Sequence, residues 1–297
     1  MTILKRLHAL VAYAISEKTN APEPRVEMRE QGAKLKALPA VDMHIGEEAL
    51  EAVLYDLRAR PHWWLERLYQ SCGGVARLDL RDGTAVGTGF LVRARDLGLV
   101  ELGDEPVLLT SNHVMRDGYS RGRGSNIIRS PANMEVRFEA RNDGIVYRPV
   151  IVFESSPDEC DFSVARLWPR IGVGDKGVLE IADDDLPDEV PGARGRMRYP
   201  RVFVPSHPNG GTLSMALENN LYRGIIPGPD DVDYIAHTAP TDYGSSGAPV
   251  LTESITVCGV HRAAGQVLQA GSLADAPKAK LNLAVSIQSI RRAIARR

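Results

Sequence analysis

The spacing of apolar residues changes along the chain, and the change predicts two parts. Over residues 1–70 apolar positions recur at helical intervals. Ile3, Leu7, Leu10, Val11 and Ala14 form one stripe and predict a helix over about residues 3–16. Leu50, Val53, Leu54 and Leu57 form a second over about residues 47–59. Pro61 suits a first helical turn and opens a third helix carrying Trp63, Trp64, Leu65 and Leu68. The polar, Pro-containing stretch Glu17–Ala40 reads as a linker.

From Gly74 the period shortens. Apolar, β-branched runs lie at Gly87–Val92, Val107–Thr110, Met134–Glu139, Val146–Phe153, Phe162–Leu167, Arg201–Val204, Tyr234–Thr238, Pro249–Leu251, Thr256–Val260 and Leu281–Val285. Gly, Pro, Asn and Asp separate them. Short strands between turn signals predict an all-β sandwich or a pair of barrels. The tail Ser286–Arg297 returns to helical spacing at Ile287, Ile290 and Ile294, with arginines toward its C-terminus. The simplest division is a helical extension over 1–70 and a β domain over 71–297.

Composition narrows the function classes. Of the 297 residues, 43% are hydrophobic and 25% charged, which is globular and not disordered. A net charge of −2 argues against a general nucleic-acid binder, whose phosphate partner demands a basic surface. No run approaches the ~18 apolar residues of a membrane helix. Cys72, Cys160 and Cys258 are few, odd in number and not spaced for zinc, so no disulfide framework or metal site is expected. Lys5-Arg6 before a short apolar run mimics a signal peptide, but His8 and the helical stripe favour an amphipathic helix. A reducing, cytoplasmic setting is expected, with no cofactor.

The strongest chemical signal is Gly244-Ser245-Ser246-Gly247-Ala248-Pro249-Val250, or G-x-S-G-x-P-V. A serine between glycines, on a tight loop before an apolar strand, is how a hydrolase presents a nucleophile. Glycines let the backbone approach a substrate carbonyl and turn successive N–H groups toward one point. A serine hydroxyl also needs a base, and the base a carboxylate. His113 stands where the strand run Leu108–Thr110 enters a polar turn. Asp161 opens the run Phe162–Leu167 after an acidic loop.

T-x-x-H-V, D-F-S-V-A-x-L and G-x-S-G-x-P-V, in the order His–Asp–Ser, resemble the chymotrypsin/trypsin-like serine peptidases. The bacterial branch with the glutamyl endopeptidases is the most similar. Gly87-Thr88-Gly89-Phe90-Leu91-Val92, His207-Pro208-Asn209-Gly210 and Gly259-Val260-His261 match further strands and turns of that branch. The resemblance spans about residues 72–295. It implies two perpendicular six-stranded antiparallel β-barrels with the site between them. It assigns Ser246 as nucleophile, His113 as general base and then acid, and Asp161 as the group that orients His113. The N–H groups of Gly244 and Ser246 become the oxyanion hole. It also implies a protein or peptide substrate.

Two departures stand out. Ser111-Asn112 replaces the usual residues before His113. No I-V-G-G-like start follows a cleavable basic site, so activation through a new N-terminus is unsupported; the extension gates activity, docks a regulatory partner or simply packs. The resemblance further places Thr241 and His261 where glutamyl endopeptidases hold an acidic side chain. Both offer donors to a carboxylate. Asp242 is the competing feature and would favour Arg or Lys, while Pro240 fills the slot of the trypsin-type acid. Arg194, Arg196, Arg198 and Arg201 line an acidic partner or form a solvated strand face. Two classes therefore remain: a serine endopeptidase, and a non-catalytic binding module that keeps the fold. An α/β-hydrolase is excluded by chain order and by the absence of alternating helices and strands.

Overall fold

The computed structural model describes residues 60–116, 128–191, 197–266 and 281–296. All lie in one unit, Glu48–Arg297. The helices expected over 3–16 and 47–59, and the linker between them, fall outside the described residues, as do Arg194 and Arg196.

Helix α1 (His62–Cys72) begins after Pro61. Trp64 and Leu68, one turn apart, share a buried face, whereas Trp63 is exposed. The Trp64 ring meets Phe203 edge-on at 5.1 Å, and its indole N–H donates to Glu253 O at 2.8 Å. This helix is therefore part of the β body's own core.

Strands β1 (Val75–Leu80), β2 (Ala85–Arg93), β3 (Pro106–Thr110), β4 (Met134–Arg137), β5 (Arg148–Ser155) and β6 (Phe162–Trp168) form one antiparallel sheet in the order β4-β1-β2-β3-β6-β5. A bridge between Val136 and Tyr147 brings the β4 edge back toward β5, so the sheet curls on itself. The short helix α2 (Asn112–Met115) follows β3. Val190–Pro191 (β7) and Met197–Arg198 (β8) pair as a small ribbon.

The second sheet contains β9 (Tyr222–Pro227), β10 (Asp233–His237), β11 (Pro249–Leu251), β12 (Val257–Gln266) and β13 (Leu281–Ser286), ordered β11-β12-β13-β10-β9. Residues 201–204, expected as a strand, make only isolated bridges, Arg201 to Leu221 and Phe203 to Leu251. Pro200 and Pro205 flank this segment, and proline cannot donate to a ladder. Helix α3 (Ile287–Ala295) closes the fold, capped by the Ser286 hydroxyl, which accepts from Gln288 N–H.

The alternation of side chains across each strand feeds two cores at once. On β2, Leu91 joins the interior of the first sheet, while Phe90 and Val92 enter a cluster shared with the second sheet and both long helices. On β12, Cys258 lies in the second sheet's interior and Val257 and Val260 in the shared cluster. Strands apolar on both faces read as continuous apolar runs. The shared cluster fixes the two sheets against each other and thereby the residues at their junction.

Candidate active site

His113 and Asp161 come together at the end of β3 and the start of β6. His113 Nδ1 lies 2.8 Å from Asp161 Oδ2, and the His113 backbone N–H donates to Oδ1 at 3.0 Å. Asp161 is buried and takes a left-handed backbone with φ of 52°. Aspartate tolerates that region better than bulkier residues, and the Asp161 N–H is tied to Ser156 O at 2.9 Å. The unusual Asn112 has a local function. Its side chain donates to Ser163 Oγ at 2.9 Å and its N–H to Asp161 O at 3.3 Å, lacing α2 to β6.

Ser246 sits on the loop before β11. Its Oγ donates to Arg262 O at 3.4 Å; among the described residues it makes no hydrogen bond to His113. Along this loop the backbone donors alternate. Ser245 N–H is spent on Asp242 O and Gly247 N–H on His261 O, at 3.0 and 2.7 Å. Those of Gly244 and Ser246 donate to nothing among the described residues. Gly244 has φ of 88°, and a Cβ there would stand 2.6 Å from His207 O in the His207–Gly210 turn. Gly247 is as confined, against Thr110 Oγ1 and Thr88 O at 2.1 Å. The neighbouring Ser245 is fully buried and its Oγ lies 3.0 Å from Ser206 Oγ, so it faces away from the cleft.

Thr88 stitches β2 to this loop. Its N–H donates to Ser246 O at 2.8 Å and its hydroxyl to Gly244 O at 2.7 Å, while the hydroxyl accepts from His207 N–H at 3.1 Å. The first sheet thus holds the backbone that carries Ser246.

The family model of the trypsin-like peptidase domain matches residues 87–260, more than half of the chain, and includes His113, Asp161 and Ser246. The chain belongs to the trypsin-like peptidase family. No curated protein matches it in sequence. Among solved structures, this trypsin-like peptidase is similar to the Rv3671c protease from M. tuberculosis in its active form, at 17% identity and a TM-score of 0.49, covering 77% of this chain and 82% of that one. It is also similar to a serine endoprotease from Yersinia pestis, at 13% identity and a TM-score of 0.49, covering 80% of this chain and 67% of that one.

Around the trypsin-like site, the residues expected to set specificity each carry a buried polar side-chain atom with no hydrogen-bond partner among the described residues. Thr241 Oγ1 and His261 Nδ1 make no hydrogen bond among the described residues. His261 is 2% exposed and meets His237 edge-on at 5.4 Å. Burial, then the neighbouring His237 and His113, holds the His261 imidazole well below its usual range. Burial pushes His237 down to about 4. Asp242, the competing feature, is exposed and accepts from Asn209 Nδ2 and from Tyr243 N–H, at 2.8 and 2.7 Å. Arg198 spends its guanidinium on a bidentate pair with Glu253, at 2.6 and 2.8 Å.

Sequence reasoning missed three residues here. Thr88 lay inside the G-T-G-F strand, but its hydroxyl's partners are far away in sequence. Arg129, 5% exposed, donates to His113 O at 3.3 Å and to Tyr243 OH at 3.1 Å. Arg262 pairs with Asp161. No local pattern marks either arginine.

Proposed function

We propose that this trypsin-like peptidase is a serine endopeptidase acting through Ser246, His113 and Asp161. The observation that carries the reading is the two-point contact of His113 on a buried Asp161. It fixes both the tautomer and the plane of the imidazole, leaving Nε2 as the free base. Ser246 Oγ turns from Arg262 O to His113 Nε2 and attacks the scissile carbonyl carbon as His113 takes its proton. The carbonyl oxygen becomes an oxyanion, received by the unspent N–H groups of Gly244 and Ser246. Each such donor contributes about 2.7–4 kcal/mol to the transition state. His113 then protonates the leaving amine, an acyl-enzyme forms on Ser246, and water activated by His113 releases the acid. Asp161 stays ionised and stabilises the imidazolium.

The same proposal reads the two curled sheets as the perpendicular six-stranded barrels of the family, with residues 201–206 as the sixth strand of the second. It places Thr241 and His261 at the side chain preceding the cut and favours an acidic one, as in the glutamyl endopeptidases. The unpartnered Thr241 Oγ1 and His261 Nδ1 support this. A buried donor left unsatisfied costs about 1–3 kcal/mol, which a substrate carboxylate recovers. The region before α1 is proposed to regulate access to this site.

A fluorophosphonate probe tests the central claim. The folded protein should be labelled at Ser246, and Ser246→Ala and His113→Ala should abolish labelling. A folded wild-type protein that takes no label would leave a binding module that keeps the peptidase fold.

A further inference from the structure

Arg262 lies on β12, directly after His261, and reaches from the second sheet to the first. Its Nε stands 3.0 Å from Asp161 Oδ2, the oxygen that also faces His113 Nδ1. Nη1 donates to Tyr234 OH at 2.9 Å and Nη2 to Pro157 O at 2.7 Å. The guanidinium carbon lies 5.5 Å from the Tyr234 ring centre. Every nitrogen of the fork therefore has its own partner, on β10, in the loop before β6, or on Asp161 itself. The backbone of the same residue receives the Ser246 hydroxyl.

We propose that Arg262 is a positioning residue for hydrolysis, locking Asp161, and through it His113, in register with the strand that carries the serine's resting acceptor. The inference rests on reading Ser246, His113 and Asp161 as the reacting set. His113 and Asp161 belong to the first sheet, whereas Ser246 precedes a strand of the second. A group that grips the first pair from the second sheet sets their separation from Ser246.

A surface ion pair contributes little, because both ends stay hydrated and mobile. This pair differs at both ends. The Asp161 side chain is 1% exposed, so without Arg262 it is a buried anion lacking its cation. The guanidinium is held at three points and cannot swing away. An ammonium could supply the charge but not the planar fork. The consequence of losing it is displacement of the imidazole, and a 1 Å misplacement of reacting groups costs about 100-fold in rate.

The test uses the full chain and a fluorophosphonate probe, so it needs no knowledge of the natural substrate. Arg262→Ala should lower the maximal inactivation rate at Ser246 by about 10–100-fold with the probe's binding constant unchanged. Added guanidine or ethylguanidine should restore part of the rate, and Arg262→Lys should fall between. Tyr234→Phe, which removes one hold on the fork, should slow labelling severalfold and serves if Arg262→Ala does not fold. Proton NMR of the His113 Nδ1–H gives a second readout, which should broaden or disappear in Arg262→Ala. Wild-type labelling rates in folded Arg262→Ala, or an unchanged Nδ1–H signal, would overturn the proposal while the serine mechanism stands. A slower rate accompanied only by lost stability, with no guanidine rescue, would also overturn it. A folded wild-type chain inert to the probe would remove the serine reading and this inference together.

Discussion

The buried pair His237 and His261 predicts a specific acid lability. His237 has no exposed surface, neither ring nitrogen has a hydrogen-bond partner among the described residues, and burial lowers its pKa from 6.5 to about 4. The unfolded chain takes up a proton near pH 6.5 and the folded protein only near pH 4. Between those values the unfolded state binds more protons, so stability is full above pH 6.5 and falls as the pH drops. At pH 5 the unfolded imidazole is nearly all charged and the folded one about a tenth charged, which removes about 2 kcal/mol. The loss approaches ~3 kcal/mol below pH 4. His261, displaced in the same direction, adds to it. Urea unfolding of the wild type and His237→Leu at pH 7.5 and pH 5 measures this. The readout is the difference within each protein, so any packing cost of leucine cancels. The variant should lose about 2 kcal/mol less than the wild type over that interval. Parallel losses in the two proteins would refute the argument that His237 is buried neutral.

Thr88→Val should deprive Gly244 O and His207 N–H of their shared hydroxyl, cost about 2–4 kcal/mol by urea unfolding and slow fluorophosphonate labelling; a variant with wild-type stability and rate would show that the stitch does not matter. Peptide-library cleavage should occur after Glu or Asp, and Thr241→Val should lower kcat/KM for those peptides by at least about 10-fold, the worth of a hydrogen bond to a charged group. Cuts after Arg or Lys would instead point to Asp242. A chain beginning at Arg60 retains Trp64 and should hydrolyse peptides faster than the full chain if the preceding region gates the site; an equal or slower rate counts against gating. A chain beginning at Cys72 loses the Trp64–Phe203 contact and should be destabilised by about 3–5 kcal/mol, seen as a lower Tm.

Much of the β body was legible because strands buried on both faces leave apolar runs. What escaped was polar or proline-bearing. Strand β1 contains Arg77 and Asp79, and Asp79 is 1% exposed because Arg77 holds it at 2.9 Å. In sequence that pair looks like surface; in the fold the carboxylate is buried and the arginine covers it from a partly exposed position. Strand β9 contains Gly224 and Pro227, residue types common in turns, yet it pairs with β10 along an edge where proline is tolerated. The Ser246, His113 and Asp161 motifs could be proposed as a site from sequence because each has local chemistry and a fixed order. Thr88, Arg129 and Arg262 could not, since what each does depends on partners from distant segments.

Those three residues share a geometry. Thr88 joins the first sheet to the Ser246 loop, Arg262 joins the second sheet to Asp161, and Arg129 joins the His113 backbone to Tyr243 beside Gly244. Each bond crosses between the halves that carry the candidate reacting groups. Each sheet also has an interior of its own, whereas the cluster that unites them includes α1 and α3. Small separations of the sheets would therefore break all three ties before either interior is disrupted. The hydroxyl of Ser246, resting on Arg262 O and not on His113, lies at that junction. On the proposed mechanism, hydrolysis therefore depends on how the two sheets dock as well as on the packing inside each, because the ties that align Ser246 with His113 and Asp161 all lie at the junction.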